Sequence, residues 1–73
     1  MSHQEKYRQL GLNIAFYRKR SGMSQLKLAE KANISRTHMS RIETADCAVS
    51  LDVLFNICEA LEVPPQKLFD FRD

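Results

Sequence analysis

The sequence predicts an all-α fold, a compact bundle of five helices. Three observations predict it. Apolar residues recur at spacings of three and four, no stretch alternates apolar with polar residues, and serines stand where three helices would need a cap. Tyr7, Leu10, Ile14 and Tyr17 mark a first helix over residues 4–20. Ser21-Gly22 stops it, because glycine takes the left-handed backbone that ends many helices. Ser24 opens a short helix over 24–31 with Leu28 and Ala29 inward. Ala32-Asn33 makes a turn, since asparagine tolerates left-handed angles. Ile34 is an apolar anchor, and Ser35 caps a third helix, 35–44, with Met39 and Ile42 inward. Residues 45–49 form a loop of small side chains. Ser50 caps a fourth helix, 50–61, with Leu51, Leu54, Ile57, Cys58 and Leu61 on one stripe. Pro64-Pro65 stops that helix and starts a last one, 65–70.

With 73 residues, the chain has room for one domain spanning 1–73. Two Gly, two Pro and 44% apolar residues are a globular composition. No apolar run nears the roughly 18 residues of a membrane span, and MSHQEKYRQL holds no signal-peptide core. A soluble, cytoplasmic protein without membrane contact is the expectation. Cys47 and Cys58 lack zinc-site spacing, and with His3 and His38 they form no nucleophile–base pattern. So no metal, cofactor, small-molecule ligand or enzymatic chemistry is expected. The two histidines read as surface groups and Cys58 as a core hydrophobe.

Charge is divided along the chain. Residues 1–45 carry nine Lys and Arg against three Glu, a net of +6, whereas residues 46–73 carry two against six acids, a net of −4. That asymmetry points to one surface built for a polyanion. The pair 24–31 and 35–44, two short capped helices joined by about three residues, is too short for a bundle hairpin. It describes a helix-turn-helix over 24–44, whose second helix enters the major groove of DNA.

The stretch GMSQLKLAEKANISRTHMSRIE, Gly22–Glu43, resembles the phage-repressor, Cro-like helix-turn-helix family, also called the xenobiotic-response-element family. Ser24-Gln25, Leu28-Ala29, Ile34-Ser35 and Arg41-Ile42-Glu43 carry the likeness. Leu10-Gly11 and Arg18 match before it, and Ser50-Leu51, Ala60-Leu61 and Pro65–Phe69 after it, so it covers about residues 8–70. It implies a lambda-repressor-like domain that binds double-stranded DNA and regulates transcription. Compact regulators of this kind include restriction–modification controller proteins and small phage or plasmid repressors. One position departs from the family pattern: a glycine commonly follows two residues after the glutamate, and here it is Ala45. The loop behind it carries Asp46 and no lysine.

With Met39 and Ile42 inward, Arg36, Thr37, Ser40 and Arg41 fall on the outward arc of the third helix and are the expected base readers. The resemblance places Arg36, Thr37 and Arg41 at the usual base-reading positions. Any exposed helix face is polar, so the pattern alone also fits plain solvation. Phosphate contacts are expected from Ser24 and Ser35, beyond their capping, from the backbone N–H groups at Gln25, from Thr44, and from His38 between the two arcs. Arg18 falls near a buried stripe, where a charge needs a partner. The resemblance implies an ion pair from Arg18 to Glu43. A single small domain reads one half-site, so a homodimer on a pseudo-palindromic operator is expected. Phe55, Leu68, Phe69 and Phe71 are its candidate interface. The alternative reading is an interaction module, such as an antitoxin or bridging factor, that uses the fold to hold another protein.

Overall fold

The computed structural model describes residues 3–71. It has five helices and no strand among them: α1 (Gln4–Arg20), α2 (Gln25–Ala32), α3 (Arg36–Glu43), α4 (Leu51–Leu61) and α5 (Pro65–Leu68). The radius of gyration is 10.9 Å, close to the roughly 11 Å of a compact chain this long. None of the helices is long and apolar enough to cross a membrane.

The ends of the helices follow local chemistry. Ser24, Ser35 and Ser50 each accept a hydrogen bond from the backbone N–H three residues on, at 3.0, 3.0 and 3.2 Å. Each satisfies a donor that the first helical turn leaves open. Gly22 ends the α1 turn at φ +75° and Asn33 ends α2 at φ 61°. Two further residues adopt this left-handed backbone without being glycine or asparagine, Ala45 after α3 and Glu62 after α4. At the start of α1, Arg8 and Gln9 both donate to Glu5, and the pair holds its carboxyl down at about 2.

The core draws on all five helices. Leu10, Ile14, Leu28, Ala29, Ala32, Met39, Ile42, Leu54, Ile57, Cys58, Leu61 and Leu68 form one buried cluster. Cys58 is a core group as expected, and burial pushes its thiol up. α4 packs across α2, and Asn56 donates to the Ala32 carbonyl at 3.4 Å, which satisfies the end of α2.

Three expectations need correction. Leu51, expected on the inward stripe of α4, is 63% exposed. It sits in the first turn, off the centre of the stripe through Leu54, Ile57 and Leu61. Leu68, expected at an interface, is fully buried. The four residues of α5 lie against α1 and α4 and have only one side to bury, and Leu68 occupies it. α5 also ends at Leu68, not at residue 70. From there the chain is pinned to α1, because Asn13 donates to the carbonyls of Leu68 at 2.9 Å and Asp70 at 3.3 Å. Phe71 closes on the core, half-buried, with its ring 6.0 Å from that of Phe69.

Candidate nucleic-acid interface

The eight residues of α3 are too few to hold a helix alone in water. Tertiary contacts must therefore set where the outward side chains point. Met39 and Ile42 anchor one side, at 0% and 3% exposure. On the other side Arg36, Thr37 and Arg41 are exposed, while Ser40 and His38 are half-buried. No hydrogen bond or ion pair among the described residues engages either guanidinium. Both are free to donate to a bound molecule.

α1 fixes α3 at three points spaced seven residues apart, and two helical turns bring such positions back to one face. The Gln4 amide donates to the Ala45 carbonyl at 3.0 Å, holding the turn that follows α3. Gly11 lies where the helices touch: a Cβ there would stand 2.5 Å from the Glu43 carbonyl oxygen and 2.6 Å from that of Ile42. Any side chain would force the helices apart. Arg18 closes the set. Its Nε donates to Glu43 Oε2 at 2.7 Å, its Nη2 to Oε1 at 3.2 Å, and its Nη1 to the Met23 carbonyl at 2.9 Å. The side chains of this pair are 11% and 6% exposed. The ion pair implied by the resemblance is present, and it is bidentate.

Gln25 joins the same node. The sequence places it at a phosphate through backbone N–H groups. Its side-chain amide has another task, donating to Glu43 Oε1 at 3.0 Å. The first residue of α2 and the last of α3 are thereby held together through one carboxylate. Thr44 is also committed. Its hydroxyl donates to the Ser40 carbonyl at 3.0 Å and lies 3.2 Å from an Asp46 carboxylate oxygen. A phosphate, which only accepts, would have to take that proton from Ser40. Ser24 and Ser35 stand exposed as caps.

The need of Arg18 for a partner was legible from its charge on an apolar stripe and the partner came from the resemblance, but Gln4 and Gly11 were missed as positioning residues. Their signal was the seven-residue spacing that puts 4, 11 and 18 on one face. Among the described residues, no group of three or more His, Cys, Asp or Glu could hold a metal ion.

This geometry is a short outward helix held against α1, preceded by a short capped helix and a left-handed turn. The helix-turn-helix family profile matches residues 14–68. The chain belongs to the helix-turn-helix family. It is a DNA-binding regulator of transcription. This helix-turn-helix protein is 42% identical over 67 residues to control protein C.BamHI of Bacillus amyloliquefaciens, a match spanning 92% of this chain and 75% of that one. Its fold is similar to the restriction-modification controller protein C.AhdI of Aeromonas hydrophila, with a TM-score of 0.84 and 27% identity over 86% of this chain and 96% of the other. A hypothetical transcription factor from Neisseria is similar too, with a TM-score of 0.86 and 26% identity over 90% of this chain and 76% of the other.

Proposed function

We propose that this regulator is of the restriction–modification controller type and binds a pseudo-palindromic operator as a homodimer, with α3 in the major groove of each half-site. The observation that carries this is the pair of exposed, unengaged guanidiniums of Arg36 and Arg41 on a helix whose opposite side is anchored by Met39 and Ile42. Arginine can bind guanine O6 and N7 together, and Thr37 and Ser40 beside them offer hydroxyls and a methyl to neighbouring base edges. Ser24, Ser35, His38 and the first N–H groups of α2 border that face and orient it on the phosphates. The likeness to two controller proteins supports the biological setting.

The test begins by selecting bound duplexes from a random pool. Affinity for the selected duplex and for a scrambled one is then measured at fixed salt. Arg36→Ala and Arg41→Ala should each weaken selected-duplex binding by about 1–3 kcal/mol, roughly 5- to 150-fold, and scrambled-duplex binding far less. Equal losses on both duplexes would remove these residues from base reading. A wild-type protein that enriches no sequence would overturn the proposal.

A further inference from the structure

The lysines and arginines of this chain do not all serve one purpose. Arg8 pairs with Glu5 and Arg18 with Glu43. Lys31 borders a groove with Glu59 of α4 and Glu62 just after it. Lys6 and Lys67 border apolar grooves along α1. Arg36 and Arg41 stand on the outward face of α3. Among the described residues that leaves Lys19, Arg20 and Lys27. All three are exposed, and no ion pair among the described residues engages them.

These three share one corner. Lys19 and Arg20 end α1, Lys27 lies in the first turn of α2, and the residues between fold back tightly. The Gly22 N–H donates to the Lys19 carbonyl at 3.0 Å and the Met23 N–H to the Arg18 carbonyl at 3.1 Å. No acid occurs between residues 18 and 29. The Glu43 carboxylate bonded into the corner is already shared by Arg18 and Gln25. Those two bonds also tie the corner to the end of α3.

The opposite flank of α3 differs. Residues 44–50 contain no lysine or arginine, Asp46 is exposed, and the Thr44 hydroxyl is turned to Ser40. A duplex lying on α3 presents phosphates to both flanks, and the loop after α3 offers them no lysine or arginine of its own.

We infer that Lys19, Arg20 and Lys27 form the sequence-independent phosphate grip of this protein, a clamp on the α1–α2 side that the loop after α3 does not supply. The inference rests on the operator reading above. Each phosphate neutralised releases condensed counterions, so a lost contact lowers the slope of log affinity against log salt by about 0.9. The experiment measures that slope for the wild type, for Lys19→Gln, Arg20→Gln and Lys27→Gln singly and together, and for Lys67→Gln as a control. Binding is measured on both the selected and the scrambled duplex, and a circular-dichroism melt verifies folding.

Each single change should lower the slope by about 1 and the triple by about 3, equally on both duplexes. The ratio of the two affinities should stay at the wild-type value, and Lys67→Gln should leave the slope unchanged. A triple variant with the wild-type slope overturns the grip, as does a loss confined to the selected duplex. A wild type that binds neither duplex overturns the operator reading and the grip together, so the two failures are distinguishable.

Discussion

Gly11 is where the geometry has least tolerance. The atoms that an added Cβ would meet are backbone carbonyls, which cannot swing aside as a side chain can. Gly11→Ala gains helix propensity of about 1 kcal/mol but forces α1 and α3 apart, and overpacking of this kind costs about 1–3 kcal/mol. Because the obstacle is backbone, the strain should win. We expect a melting temperature lower by roughly 10 °C, with weaker duplex binding at temperatures where the variant is still folded. An unchanged melting curve would show that the helices can separate freely.

Arg18 and Glu43 are the other residue-scale constraint. Removing either leaves a charge nearly out of water, and breaking such a pair costs about 3 kcal/mol or more. A double-mutant cycle with Arg18→Ala and Glu43→Ala, read in thermal melts, should give a coupling of about 1–3 kcal/mol. No coupling would refute the pair as an energetic link. The pair is an orienting device more than a source of net stability, since a well-packed apolar pair can do as well.

At the scale of elements, the starts of α2, α3 and α4 follow the sequence because caps act locally. Ser24, Ser35 and Ser50 each need only the N–H three residues ahead. The end of α4 was less legible. Glu62 takes a left-handed backbone at φ 58° with nothing in its side chain to favour it, and its charge faces the negative end of the α4 dipole. Its side chain is exposed, so Glu62→Gly removes no buried contact. That change should stabilise the protein by about 1 kcal/mol, measured by urea unfolding. A loss of stability would mean that the glutamate makes a favourable contact elsewhere. Ala45 adopts the same backbone at φ 63°, but its methyl is buried. Strain and burial oppose each other there, so Ala45→Gly should be close to neutral.

At the scale of the whole molecule, the exposed apolar side chains decide how the proposed dimer forms. Phe55 and Phe69 are 44% and 46% exposed, and Phe55 borders a groove between α4 and α5 with Val63 and Pro65. These two remain as interface candidates, whereas Leu68 is core and Phe71 largely closes it. In the proposed homodimer a two-fold contact would set the recognition helices about 34 Å apart. Sedimentation at micromolar concentration should therefore show a species of twice 8.5 kDa, and Phe55→Glu should shift it to monomer without unfolding it. A wild-type monomer under those conditions would remove the two-fold operator from the proposal.

Capping and helical periodicity act within a few residues of chain, so the helices, their caps, the inward residues Met39 and Ile42, and the outward arc of Arg36, Thr37 and Arg41 are already written in the residue order. That Gln4 and Gly11 hold α3, that Gln25 shares Glu43 with Arg18, that Leu68 is buried and that Leu51 is not emerge only once the helices pack. Those outcomes depend on which helix lies across which, a relation between residues dozens of positions apart that no local spacing records.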